Sequence, residues 1–185
     1  QRHAQAHRMP HQRGREREFW QLNVDVFGVD SIAADVEIIT IADAILKEFG
    51  ATQGDYVIRV NNRKFIHYMM AEYLGLDTVG ALQMTKLFDR RNKITEQDFD
   101  EPALAILGES QASDIEKIKQ IIDAKDIAEL PEELQHASAL SEIKEVCEGL
   151  RNAGVDGAIF DATLMRGLDY YTGTVFEAFD THPDN

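Results

Sequence analysis

Arg166, Gly167, Leu168, Asp169, Tyr170 and Tyr171 set a cation, a glycine pivot, a carboxylate and two phenols within six residues, and the chain then alternates from Thr172 to Glu177 as a strand does. A guanidinium can stabilise charge that develops on an anionic reactant, and phenols can donate to or accept from a polar ring. The plainer account of the same run is an edge strand whose turn carries two tyrosines and whose arginine has a structural partner.

A second run of chemistry lies near the other end. Arg13, Arg15 and Arg17 flank a glycine and lead directly into Phe19, Trp20 and Gln21. Guanidiniums on a loop beside a rigid aromatic ring can hold phosphates while the ring stacks on a base; an exposed basic turn is the alternative. From Phe19 to Phe27 the residues alternate with period two. That pattern predicts a strand with Trp20, Leu22, Val24 and Val26 on a core face, and Phe19, Gln21, Asn23, Asp25 and Phe27 on a face presented to a ligand.

The elements that must position these residues follow from periodicity and punctuation. Asp30 or Ser31 caps a predicted helix to about Phe49, with Val36, Ile39, Ala42, Ile45, Leu46 and Phe49 as its apolar stripe and Gly50 as its stop. Tyr56 to Val60 reads as a short strand. From Arg63 to about Ala153 the pattern is helical, with Gly75, Gly80, Pro102, Gly108 and Pro131 as breaks. Ser113 and Glu116 form a predicted capping box, and a further helix spans Ser138 to Asn152. Strand pattern resumes at Gly157 to Phe160 and from Tyr171 to Phe179. A helical insertion therefore interrupts one sheet, and the expected class is α+β. The expected organisation is a disordered or non-native tail (1–12), a first part of the core (13–61), a helical insertion domain (62–154) and a second part of the core (155–185).

Composition narrows the function. The 185 residues are 44% hydrophobic and 28% charged, ordinary for a folded chain, and no stretch reaches the ~20 apolar residues of a membrane span. With no signal-peptide pattern, a cytoplasmic location is expected. The net charge of -14 is unevenly spread: residues 1–17 hold five Arg and one Glu, and the rest hold 14 bases against 32 acids. Contact with a polyanion must therefore be local. The densest basic cluster within the helical part is Lys86, Arg90, Arg91 and Lys93, which is either a solvated face or a weak RNA contact. The single cysteine, Cys147, lies in a helical apolar pattern and reads as a small buried residue. His3, His7 and His11 share a spacing of four, but their surroundings are neither helical nor apolar, so no metal site is assigned.

Taken together, Gly14 to Gly28 resembles the latter half of motif 2 of class II aminoacyl-tRNA synthetases in the form found in histidyl-tRNA synthetases. Arg166 to Glu177 resembles the histidine-specific motif of the same family. The likeness covers about residues 13–182, with the insertion matched in position and helical character. It implies a partial antiparallel class II sheet with a flanking helix. It also implies an enzyme that joins histidine to ATP, with Mg2+, to give histidyl-adenylate and then transfers the histidyl group to tRNA(His), with no permanently bound cofactor. By the same resemblance Arg15 and Arg17 reach the ATP phosphates and Phe19 stacks on adenine. Gln21, Asp25, Tyr170 and Tyr171 hold histidine, and Arg166 acts catalytically at the α-phosphate and the substrate carboxylate. The family places its insertion near the tRNA acceptor stem, and its members are homodimers. Motif 1, motif 3 and the anticodon-binding domain are not matched, so the expectation is an internal catalytic fragment, inactive alone. The alternative is the histidine-binding, synthetase-like regulatory subunit of ATP phosphoribosyltransferase, which is expected to lack the insertion.

Overall fold

Tyr56–Asn62 forms β1, the central strand of a three-stranded sheet in the order β2-β1-β3, where β2 is Ala158–Phe160 and β3 is Thr174–Asp180. The computed structural model describes residues 21–165 and 171–181. β3 runs antiparallel to β1, with Tyr56 opposite Asp180 and Asn62 opposite Thr174. β2 runs parallel to β1, with Ile58 opposite Ala158 and Val60 opposite Phe160, so the sheet is mixed where an antiparallel one was expected. The reason is topological: β1 and β2 are joined by a long helical crossover, and a crossover returns the chain in the same direction.

Helix α1, Ile32–Glu48, covers one face of the sheet. Ile39 is its fully buried apolar residue, packed with Ile58, Val60, Val146, Leu150 and Val155. The predicted stripe fails at its end: Phe49 is 88% exposed, because the helix stops one residue earlier and Gly50 turns the chain at φ +93°. Asp43 is buried in this layer instead; its Oδ1 accepts the Tyr56 hydroxyl at 2.5 Å and its Oδ2 pairs with Lys47 at 2.7 Å. Burial first, then the bond to Asp43 and its charge, push the Tyr56 phenol up from 10.0 to about 12.

Between the strands the described chain is helical: α2 (Arg63–His67), continuing as a π-helical turn over Tyr68–Tyr73, then α3 (Thr78–Arg90), α4 (Glu96–Leu107), α5 (Ile115–Asp123), α6 (Glu132–Gln135) and α7 (Ser141–Asn152). Two predicted breaks lie inside helices. Gly80 is in the first turn of α3, where its N–H donates to the capping Asp77 carboxylate at 2.7 Å, and Pro102 is within α4. Gly75 and Gly108 do end helices, at φ +61° and +74°. The Ser113–Glu116 box does not form: α5 starts after Asp114 without a side-chain cap, because Ser113 is itself within a 3-10 stretch, Glu109–Asp114. Asp114 instead pairs with Lys117 at 2.9 Å.

The helices enclose a second, larger core around Phe65, Met69, Phe88, Phe99, Ile118 and Leu134. Each such side chain contributes about 1.5–3 kcal/mol on burial. Phe160, Ala162 and Met165 reach into this core from β2 and the segment after it, and the Phe65 and Phe160 rings meet edge to face at 5.8 Å. Helix α7 packs against α1, β1 and β2. α7 packs tightly on α1 at Gly149: a Cβ there would lie 2.7 Å from Val36 Cγ2. Among the described residues no helix is long and apolar enough to cross a membrane.

The strand predicted for residues 19–27 is absent over its described part. Residues 21–30 form no regular element, pair with none of the described strands and are exposed throughout, including Leu22 (71%) and Phe27 (87%). Alternation specifies faces but not a hydrogen-bonding partner, and none of the described strands lends this segment an edge.

Candidate functional site

An apolar strand that ends in two amides has unusual demands to meet at that end. Asn61 and Asn62 close β1 and are both buried. Buried polar groups persist only where their hydrogen bonds are made, and these are. Asn61 donates its amide to the carbonyl oxygens of Ala162 (3.3 Å) and Leu164 (3.2 Å), and its Oδ1 accepts the N–H of Asn62 at 2.8 Å. Asn62 points to the other face. Its Oδ1 caps α2 by accepting the Lys64 N–H at 2.8 Å, and its amide donates to Glu142 on α7 at 2.9 Å.

Two residues earlier on β1, Arg59 reaches the same turn as Asn61. Its guanidinium pairs with Asp161 Oδ2 at 2.9 Å and lies 4.4 Å from the centre of the Phe179 ring on β3. Asp161 Oδ1 accepts both the N–H (2.8 Å) and the hydroxyl (2.6 Å) of Thr163. The turn is thus organised within itself and tied to the central strand.

β3 starts at this end as well. The Arg63 N–H donates to Gly173 O at 2.9 Å, and the Thr174 hydroxyl donates to Asp35 Oδ2, in the first turn of α1, at 2.7 Å. Lys64 binds Glu142; that bond, the Glu142 charge and, more weakly, Asp30 raise the Lys64 pKa, while Lys64 chiefly draws the Glu142 carboxyl down. Four pieces of chain therefore meet at one end of the sheet: the first turn of α1, the end of β1, the 161–165 turn and the start of β3.

Gln21 and Asp25 are exposed on the segment before α1, where the Gln21 amide donates to Asn23 Oδ1 at 2.7 Å. Tyr171 is half exposed, three residues before β3. Arg15, Arg17, Phe19, Arg166 and Tyr170 lie outside the described residues, as do His3, His7, His11 and the 1–12 tail. Lys86, Arg90 and Lys93 are exposed on α3 and the turn after it, but Arg91 is partly occupied, with its guanidinium 5.5 Å from the Phe99 ring centre. Cys147 is partly buried and burial pushes its thiol up, away from thiolate chemistry. Among the described residues no three acidic, histidine or cysteine side chains form a metal-binding group.

Among the described residues, two clefts are lined by none of the residues the sequence had singled out for substrate or RNA. One, about 680 Å³, runs along β2 between His136, Lys144, Arg151 and Ile159; the other, about 510 Å³, lies between Arg63, His67, Met70 and Leu82. Sequence reasoning passed over Arg59, Asn61, Asn62 and Asp161. The available signal was the Asn-Asn pair between the short strand and the start of the helical pattern.

Comparison with known proteins gives consistent results. The family model described as Histidyl-tRNA synthetase matches residues 3–184. A histidine–tRNA ligase from Leptospira biflexa is 34% identical over 93% of this chain and 39% of its own length. One from Haloarcula marismortui is 34% identical over 92% of this chain and 40% of its own. The chain thus spans about 40% of the length of these curated relatives. Among solved structures, histidyl-tRNA synthetase from Nostoc sp. PCC 7120 superimposes with a TM-score of 0.68 at 25% identity, over 81% of this chain and 37% of that one. A Bacillus halodurans protein described as an ATP phosphoribosyltransferase regulatory subunit/histidyl-tRNA synthetase shares the fold, with a TM-score of 0.66 at 21% identity over 83% of this chain and 40% of that one.

Proposed function

Because this chain belongs to the histidyl-tRNA synthetase family, we propose that it is the part of a cytoplasmic histidine–tRNA ligase that holds histidine against ATP. Residues 13–61 and 155–185 supply the catalytic layer in this reading, and residues 62–154 the insertion. The whole enzyme, a homodimer, would form histidyl-adenylate and pass the histidyl group to tRNA(His); this portion alone does not complete that sequence.

The roles follow from chemistry. Imidazole carries one donor and one acceptor nitrogen, so a carboxylate and a phenol can read both; Asp25 takes the first part and Tyr171, with Tyr170, the second. Gln21 accompanies the amino group. Arg15 and Arg17 hold the phosphates of magnesium-bound ATP and Phe19 stacks on adenine. Attack of the histidine carboxylate on the α-phosphate expels pyrophosphate, and Arg166 stabilises the charge that accumulates there. Lys86, Arg90 and Lys93, with Arg91 in part, are the surface offered to tRNA.

One observation carries the reading. The Thr174 hydroxyl, three residues after Tyr171, donates to Asp35 in the first turn of α1, the helix into which the Asp25 segment runs, and this bond supports a shared site. Titration calorimetry with histidine and with MgATP tests it. Asp25→Ala and Tyr171→Phe should each weaken histidine by on the order of tenfold or more while ATP changes little, since unpaired polar groups discriminate strongly. Unchanged histidine affinity in both variants removes the assignment. Robust pyrophosphate exchange by the isolated chain contradicts its incompetence alone, and failure to bind tRNA favours the regulatory-subunit reading.

A further inference from the structure

We infer that Asp35 and Thr174 form a positioning pair for Tyr171: their bond fixes where β3 begins, and so the point from which the short approach carrying Tyr171 leaves the sheet. The inference rests on the functional reading above, in which the Tyr171 phenol meets the imidazole.

Tyr171 needs such a tether because the ladder does not reach it. The paired register of β3 on β1 ends with Thr174 opposite Asn62, and one further backbone bond, from Arg63 N–H to Gly173 O at 2.9 Å, catches the residue before it. The ends of a ladder open at lower free energy than its middle, so whatever holds Thr174 limits how far the opening runs. Its side chain does this. The Thr174 hydroxyl donates to Asp35 Oδ2 at 2.7 Å, in a half-buried bond between residues 139 positions apart in the chain. A hydroxyl on a carboxylate makes a stronger bond than one between two neutral groups.

The pair is set on packed elements. Asp35 lies in the first turn of α1, where Ile32 and Val36 pack against the core under the sheet. Phe176, on the same face of β3 as Thr174, packs against that core too. Small displacements of a group that reads a substrate carry large costs, and a residue just off the end of a strand is placed only as well as that end is held.

An acid in a first turn also suits the helix dipole, which is the plainer reason for Asp35. That reason requires a charge and no partner, whereas the Thr174 hydroxyl requires an acceptor and no charge. Asp35→Asn separates the two, since it removes the charge and keeps an acceptor oxygen.

The far end of β3 supplies a control of the same chemistry: the Thr181 hydroxyl donates to Gly54 O, away from Tyr171. The variants would be compared with the unaltered chain by histidine titration and by hydrogen exchange of the Arg63 amide. In Thr174→Val that amide should exchange on the order of tenfold faster, and histidine should bind on the order of tenfold more weakly. Thr174→Ser, Asp35→Asn and Thr181→Val should each stay within about twofold in both readouts. In a Tyr171→Phe background, Thr174→Val should weaken histidine by less than about a further twofold, because the phenol it positions is no longer there. Should Thr174→Val fail to fold, Asp35→Ala gives the same comparison.

Unchanged Arg63 exchange in Thr174→Val overturns the proposal. So does an equal loss of histidine in Thr181→Val or Asp35→Asn, and so does a loss that persists undiminished in the Tyr171→Phe background. If the unaltered chain binds no histidine, or Tyr171→Phe binds it unchanged, the functional reading falls and the positioning role with it. Arg63 exchange tells these failures apart, since it reports the tether whether or not histidine binds.

Discussion

Residues 21–27 and residues 174–180 carry the same kind of alternation, yet one is exposed along its length and the other is a strand with seven residues in register on β1. The difference is not in propensity. β3 has β1 beside it, the carbonyl just before it caught by Arg63 and a hydroxyl caught by Asp35; residues 21–27 pair with none of the described strands. Alternation is thus a permit for a strand, and the neighbouring edge decides whether it is used.

The sharpest way to break this contrast is to loosen the woven side. Phe160→Ala removes the ring that carries β2 into the helical core against Phe65, and should cost about 3–5 kcal/mol in urea unfolding. A loss below about 1 kcal/mol would mean that the two cores are held together elsewhere.

Next in size is Gly149→Ala. A methyl there meets Val36 at the crossing of α1 and α7, and neither helix can yield without disturbing the layer over β1. About 1–3 kcal/mol of destabilisation is expected, and the double variant with Val36→Ala should recover most of it.

The third prediction concerns pH. Tyr56 has its folded pKa raised from 10.0 to about 12, so its neutral form is favoured by folding. That contribution is whole below pH 10 and is lost as pH rises through 10 toward 12. Thermal midpoints of the unaltered chain should therefore fall across this window more steeply than those of Tyr56→Phe. Parallel curves for the two proteins would remove Tyr56 from the alkaline response.

The smallest effect belongs to the exposed segment. Leu22→Ser should shift stability by no more than about 0.5 kcal/mol, because a side chain that is 71% exposed has little burial to lose. A larger loss would show that this face is covered in solution.

The helices, the strands at Tyr56, Ala158 and Thr174, and the class of the fold were legible from the sequence because period and punctuation are local properties. Ile39 is buried where the spacing put it. The exposed ends of patterns were not legible: Phe49 continues a stripe that its helix no longer carries, and Gly80 and Pro102 resemble breaks that the surrounding helices absorb. Of the candidate site, the residue types and their order along the chain could be read, through the two motifs. Its framework could not, because Asn61 and Asp161 have significance only through partners about 100 residues away.

By itself, then, the sequence determined most of the helices and the three paired strands, the family to which the chain belongs, and that most of the acidic charge lies outside the first 17 residues. Tertiary structure alone decided that β2 runs parallel to β1, that one alternating segment is paired and the other is not, and that two buried asparagines serve opposite faces of the sheet. The physical reason is range. Periodicity arises from the geometry of neighbouring residues, whereas strand direction and the satisfaction of a buried amide depend on which distant piece of chain arrives beside it.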